Sequence, residues 1–245
     1  MKIIPLSEGT FTVDKSKQFV PFDNGADNLK ERPAGSLLVE VQPFCVITAK
    51  DILLLDAGLG FEINGTLQLH QNLMDAGINP SEVTKVVMSH LHKDHSGGIG
   101  IEREGLGRRL SFPNATYYVQ QQELAYAFGK GSASYLENEL LSLQNAEQLV
   151  LLNGKGVIDE YIHHEITGAH SMYHQVIWIK EEGETIFFGG DDASQLQQMK
   201  HKFAAKYDYD GKKAMNLRQE WWEQGQQEHW IFLFYHDVKN PFISL

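Results

Sequence analysis

The stretch Ser89-His90-Leu91-His92-Lys93-Asp94-His95-Ser96-Gly97-Gly98 decides how the rest of the chain is read. It sets four potential metal ligands, His90, His92, Asp94 and His95, within six residues. Lys85-Val86-Val87-Met88 runs directly into it, and this short apolar run predicts a buried strand. The ligands therefore fall where a strand gives way to a loop and several side chains can turn toward one point. Imidazole nitrogen and carboxylate oxygen are borderline ligands that suit zinc and other first-row divalent ions. The two glycines that follow let the backbone turn closely around whatever the ligands hold. A surface loop that is merely rich in histidine would not also carry the spaced aspartate, the glycine pair and the apolar strand.

Working outward, residues 10–13, 36–48 and 51–55 read as consecutive antiparallel strands, with Ala49-Lys50 as the turn between the last two. Residues 14–35 form a polar segment punctuated by Gly and Pro, carrying Phe19, Val20 and Phe22. A connection this long in a compact domain is usually functional or disordered, so Phe19 and Phe22 are expected to wall the substrate pocket. Residues 66–76 place Leu67, Leu69, Leu73 and Met74 on a helical stripe that stops at Gly77. Further strands are expected at 116–119, 148–152 and 230–234, a hairpin at 176–188, and helices at 121–128, 132–148 and twice within 194–227. Strands in runs with helices interspersed predict a mixed α/β fold of sheets covered by helices on their outer faces. No linker or repeat divides the chain, so residues 1–245 are read as a single domain.

Composition narrows the function classes. The chain has 245 residues, 42% apolar and 22% charged, with 32 acidic against 21 basic side chains for a net charge of −11. That apolar content excludes a disordered chain, and no run approaches the roughly 18 apolar residues of a membrane span. A polyanion such as nucleic acid would need a basic patch to overcome this charge, and the densest candidate is only Arg108-Arg109. The one cysteine, Cys45, excludes an internal disulfide and an all-cysteine metal site, and is read as a buried apolar residue. The start of the chain lacks the pattern of a secretory signal, so a cytoplasmic location and a small-molecule partner are expected.

His90-x-His92-x-Asp94-His95 resembles the signature of the metallo-β-lactamase fold superfamily, and further motifs follow in that family's order. Asp56, ending Ile52-Leu53-Leu54-Leu55-Asp56, matches the early strand-end aspartate that supports the metal site. His170 matches the next ligand, although the usual Thr-Pro-Gly-His is here Thr167-Gly168-Ala169-His170. Asp191, after Phe187-Phe188-Gly189-Gly190, matches the bridging aspartate, with Asp192 as its competitor. His236 matches the final strand-end ligand, and His174, which competes with His170, resembles the supporting histidine.

The resemblance implies a four-layer αββα sandwich with its site at one edge between two sheets. It assigns His90, His92 and His170 to one metal, Asp94, His95 and His236 to a second, and Asp191 to the bridge, with Asp56 and His174 orienting ligands. Two divalent ions, zinc first with iron or manganese as alternatives, would activate a water at neutral pH to attack a carbonyl. Asp94 or Asp191 would pass the proton to the leaving group. Exported β-lactamases of the zinc subclasses lack the bridging aspartate, which argues against antibiotic hydrolysis. The expected reaction is hydrolysis of a lactone, ester or thioester, similar to the lactonase and glyoxalase II branches, although the lactonase tyrosine three residues past the bridge is here Ser194. The alternatives are a mononuclear iron sulfur oxygenase of the persulfide dioxygenase type and a metal-binding module without catalysis.

Overall fold

Successive side chains on a strand point to opposite faces, so a strand apolar on both faces must be covered on both. Leu53-Leu54-Leu55 and Ile186-Phe187-Phe188 are such runs, and all six side chains are fully buried in the computed structural model. The structure describes residues 1–103, 105, 107–130 and 132–245. The chain begins with β1 (Lys2–Pro5), β2 (Gly9–Val13), β3 (Phe19–Pro21), β4 (Leu37–Val41), β5 (Phe44–Ile47), β6 (Ile52–Leu55), the ribbon β7 (Glu62–Ile63) and β8 (Thr66–Leu67), and α1 (Gln68–Asp75). Then come β9 (Lys85–Val87), the single turn α2 (Lys93–Ser96), the hairpin β10 (Gly100–Arg103) and β11 (Gly107–Leu110), β12 (Thr116–Gln120), α3 (Gln121–Lys130), α4 (Glu137–Gln144) and β13 (Leu149–Leu152). The remainder is β14 (Gly156–Ile158), β15 (Ile162–Ile166), β16 (Gln175–Glu181), β17 (Glu184–Phe188), α5 (Leu196–Lys200), α6 (Gly211–Glu228), β18 (Ile231–Leu233) and β19 (Phe242–Ser244).

Two six-stranded sheets result, ordered β1-β5-β6-β9-β12-β13 and β14-β15-β16-β17-β18-β19, with a smaller sheet β3-β2-β4 beside them. The alternation sorts the core into layers. Phe44, Val46, Leu53, Leu55 and Val87 pack between the sheets against Ile162, Ile177, Ile186, Phe188 and Leu233. The interleaved Cys45, Leu54, Val86 and Tyr117 face outward onto Leu69 and Leu73 of α1, Leu124 of α3 and Leu140 of α4. On the far side Val176, Phe187 and Phe232 meet Leu196 and Met199 of α5 and Trp221 of α6. The order helix, sheet, sheet, helix is the four-layer αββα sandwich that the resemblance implied.

Strand direction positions the site. β6, β9 and β12 are mutually parallel, as are β17 and β18, while β15 and β17 both run antiparallel to β16 between them. The carboxyl ends of β6 and β9 in one sheet and of β15, β17 and β18 in the other therefore open on one edge, where ligand sites of parallel sheets form.

Some expectations are corrected. The 36–48 strand breaks at Gln42-Pro43: β4 pairs with β2 and β5 with β1 and β6, and proline cannot donate to a ladder. The 132–148 helix is confined to α4, and the 14–35 segment carries β3 and a 3-10 turn at Leu29–Glu31. Cys45 is buried as read, and burial pushes its thiol up to about 12. Among the described residues no helix is long and apolar enough to cross a membrane.

At the sheet edge opposite the site, Tyr161 Oη donates to Asp51 Oδ2, and Lys85 Nζ contacts Asp51 and lies 3.0 Å from Asp159 Oδ2. Burial raises the Asp51 carboxyl, but Lys85, Tyr161 and Thr84 outweigh it and hold it below its usual value. A carboxylate depressed in the folded state stabilises above its unfolded pKa and loses that contribution as pH falls through the folded one. Asp51→Asn is expected to cost about 1–2 kcal/mol at pH near 7, with the deficit shrinking below about pH 4. Urea unfolding at both pH values checks this; a deficit independent of pH contradicts it.

Candidate metal centre

The centre is assembled from loops that leave those five strand ends. Asp56 follows β6 with a left-handed φ of 58°, which turns its carboxylate back over β9. Asp56 Oδ1 accepts the Ser89 N–H at 2.6 Å, and Oδ2 accepts Ser89 Oγ–H at 2.6 Å and lies 2.7 Å from His95 Nδ1. Glu8 accepts the N–H groups of Leu59 and Gly60, pinning the same loop, and burial pushes its carboxyl up to about 7. The glycine pair after the cluster has a different task from the one expected. A Cβ on Gly98 would stand 2.1 Å from the Ala57 carbonyl oxygen, so the pair admits the Asp56 loop rather than wrapping a ligand. Gly190, at φ 48°, is constrained similarly, because a Cβ there would meet His174 Nε2 at 2.6 Å.

Hydrogen bonds on one ring nitrogen fix where the other points. His95 Nδ1 is engaged by Asp56, His170 Nδ1 by Asp208 Oδ1 at 2.9 Å, His236 Nδ1 by the Glu40 carbonyl at 2.6 Å, and His90 Nδ1 by Ser89 Oγ at 3.0 Å. Each of these four histidines thus presents Nε2 to the centre. His92 differs, bringing Nδ1 to 3.2 Å from His170 Nε2.

Among the described residues, three side-chain groups could hold a metal ion; in one of them, Asp56, His90 and His95, the Asp56 carboxylate already engages His95 Nδ1, which leaves two. In one, atoms of His90, His92, His170 and Asp191 lie within 4.8 Å of one another; in the other, atoms of Asp94, His95 and His236 do. Asp191 stands between them, with Oδ2 3.2 Å from His170 Nε2 and Oδ1 3.2 Å from His95 Nε2 and 3.0 Å from His236 Nε2. Asp192 points elsewhere: Oδ1 accepts the His170 N–H at 2.7 Å and Oδ2 lies 3.1 Å from His174 Nδ1. His174 Nε2 accepts the Asp191 N–H at 3.1 Å, so Asp192 and His174 contact each other and the backbone of His170 and Asp191. The departure at Thr167-Gly168 also has a reason. Both N–H groups donate to the His174 carbonyl, and Gly168 has φ 60°, neither of which proline permits.

A cation fits this donor set. Among the described residues, buried His90 Nε2, His95 Nε2 and Asp191 Oδ1 have no aligned hydrogen bond, and a buried polar atom without a partner is costly. Burial holds His90 and His92 well below the usual imidazole range, aided by neighbouring histidines, which leaves lone pairs free for a metal. For Asp191 burial acts upward, but His236, His95 and His170 outweigh it and keep the carboxyl ionised.

A family model of the metallo-beta-lactamase superfamily matches residues 39–191, more than half of the chain. The chain belongs to that superfamily. Among curated proteins, this superfamily member is 50% identical over 52 residues to the N-acyl homoserine lactonase AttM of Azorhizobium caulinodans, and 48% identical over 52 residues to AttM of Agrobacterium fabrum. Each match covers 21% of this chain and only 16% of the relative's length. Among solved structures, a probable metal-dependent hydrolase from Staphylococcus aureus superposes with a TM-score of 0.81 at 20% identity, covering 99% of this chain and 91% of the other. AidC, a dizinc quorum-quenching lactonase, superposes at 0.73 with 18% identity, covering 98% and 88%. At these identities the structural likeness speaks for the fold.

Beside the centre opens a cavity of about 490 Å³, walled by Val13, Phe19, Leu37, Val39 and Phe203 and floored by His92, Asp94, His170, Asp191 and His236. Phe19 reaches it; Phe22 does not. The two are three residues apart, an odd spacing that favours opposite faces of an extended segment, and Phe22 is buried away from the cavity. Several props carried no sequence signal: Asp208, Tyr235, whose ring stacks on His95 at 4.0 Å, and Tyr135, whose ring meets His92 at 4.8 Å. Asp208 lies 38 positions from His170 in a motif-free polar loop, so only the folded chain pairs them. Asp208→Ala is expected to weaken metal binding at the His90, His92 and His170 group by about 10- to 100-fold. Chelator competition measures this, and an unchanged affinity contradicts it.

Proposed function

We propose that this chain is a metal-dependent hydrolase that cleaves a lactone, ester or thioester of a small molecule. The position of Asp191 carries the reading: one largely buried carboxylate faces both ligand groups, as a bridge between two ions must. His90, His92 and His170 would hold one divalent ion, zinc first, and Asp94, His95 and His236 the other. When bound, such a pair supplies an activated water at neutral pH and an electrophile for the carbonyl.

The chain's own groups supply the rest. Asp56 and Asp208 hold His95 and His170 so that each directs Nε2 inward, and Tyr235 Oη donates to the Asp94 carbonyl at 2.6 Å, fixing that turn. The apolar wall around Phe19 and Val39 takes up the acyl part and displaces water from it. Asp94 Oδ2, 3.5 Å from His236 Nε2 at the cavity floor, is placed to hold a proton for the departing oxygen or sulfur, and Asp191 orients the attacking water. The balance is that of hydrolysis: water adds across the acyl bond, giving a carboxylate and an alcohol or thiol. The short match to AttM and the likeness to AidC make lactones the first class to test.

Zinc-reconstituted protein is expected to carry about two ions per chain and to turn over at least one member of a lactone, aryl ester and thioester panel. Chelation should abolish turnover, and His92→Ala and Asp191→Ala should each reduce kcat/KM by at least about 100-fold. His236→Ala should retain about one ion. Persistent binding of a single iron, with oxygenation of a sulfur substrate and no hydrolysis, would establish the oxygenase instead.

A further inference from the structure

The rim of this cavity carries a charge that the whole chain does not. Against a net charge of −11, four lysines line it: Lys15, Lys17, Lys93 and Lys206. They come from three separate segments: the β2–β3 turn, the first residue of α2 and the connection between α5 and α6. Among the described residues, no carboxylate lies within ion-pair distance of any of the four ammonium groups, although 32 acidic side chains are available. Lys15 and Lys206 are exposed and Lys17 and Lys93 half-buried, so the four ammonium groups add a local positive field that an anion entering the cavity would meet.

Two of the four are partly buried along the cavity. Lys17 adopts a left-handed φ of 60°, a region that favours glycine, in a turn closed by its N–H donating to the Asp14 carbonyl. That conformation leaves the side chain half-buried at the cavity mouth instead of free in solvent. Lys93 stands with Nζ 6.0 Å from the Phe19 ring centroid, along the cavity wall, while its backbone N–H donates to the Ser134 carbonyl at 2.8 Å. The acidic residue on this rim is Asp14, which is engaged by Ser16, and Asp94 and Asp191 lie at the floor within the ligand groups.

We infer that the lysine rim is a subsite for an anionic group, a carboxylate or phosphate, carried by the substrate at the end remote from the scissile carbonyl. The inference rests on the hydrolase reading for where the carbonyl sits, at the floor, and adds what the other end must be. The apolar wall between floor and rim then spans the alkyl portion, so the ligand is a small amphiphile rather than a polymer. A local positive rim on an acidic protein also concentrates such anions selectively at the mouth, and does so most at low ionic strength.

The test compares zinc-loaded wild type with Lys17→Glu/Lys206→Glu on three 4-nitrophenyl esters: the monosuberate with a free carboxylate, its neutral methyl ester, and a 6-phosphohexanoate. Calorimetric binding of suberate against suberate monoamide supplies a readout independent of turnover. The anionic esters are expected to exceed the neutral one in kcat/KM by at least about fivefold at low salt. The ratio should fall to one or below in the double variant, and toward one for wild type in about 0.5 M salt, which needs no substitution. The carboxylate and phosphate arms tell the two anions apart. Equal turnover of charged and neutral esters with equal binding of the two suberates overturns the subsite and leaves the hydrolase standing. No turnover of any ester, with suberate still preferred by wild type and not by the variant, overturns the hydrolase and keeps the subsite. No turnover and no binding preference overturns both.

Discussion

A largely buried carboxylate flanked by three imidazole nitrogens at 3.0 to 3.2 Å is the constraint on which the rest of this structure depends. Asp191 can occupy that place only if the loops after β9, β15, β17 and β18 converge to a fraction of an ångström, and if cationic charge offsets the desolvation of the carboxylates gathered there. The convergence explains features that look unrelated. The parallel run of β6 and β9, and the common direction of β15, β17 and β18, bring the strand ends to one edge. Gly98 and Gly190 remove Cβ atoms that would otherwise strike Ala57 and His174. Asp56, in its left-handed turn, ties one sheet's strand end to the ligand helix through Ser89 and His95.

Two scales of electrostatics operate here. The chain as a whole carries a net charge of −11, yet the site gathers groups suited to divalent cations at the floor and, at the rim, lysines with no ion-pair partner among the described residues. Net charge governs the long-range encounter, whereas the cavity governs which end of a small molecule is held where. Net charge alone weighs against a polyanion and leaves a small molecule as the expected partner. The rim refines that argument, because its lysines are scattered over nearly 200 positions and form no basic run that composition or motif could reveal.

What was legible in the sequence was what local pattern determines. The apolar strands, the hairpin at Glu182-Gly183 and the histidine cluster all declare themselves within a few residues, and the order of the later motifs located His170, Asp191 and His236. The motif favours Asp191 over Asp192, because it follows the glycine pair directly, and His170 over His174; the fold adds that Asp192 and His174 lie against each other at 3.1 Å. Phe22 shares a segment with Phe19, which makes it look like a second pocket wall; the odd spacing of the two places it elsewhere. Asp208, Tyr135 and Tyr235 were invisible for a different reason: each supports a candidate ligand that lies a long stretch of chain away. Strands such as β1, β14 and β19 are short and partly exposed, so their periodicity is too brief to register.

The central claim, a pair of metal ions bridged by Asp191, is tested most directly by anomalous diffraction at the zinc edge from crystals of the zinc-loaded protein. The account predicts two peaks roughly 3.5 to 4 Å apart, one bounded by His90, His92 and His170 and the other by Asp94, His95 and His236, with the Asp191 carboxylate between them. A single peak at full loading, or two peaks that Asp191 does not join, would contradict it.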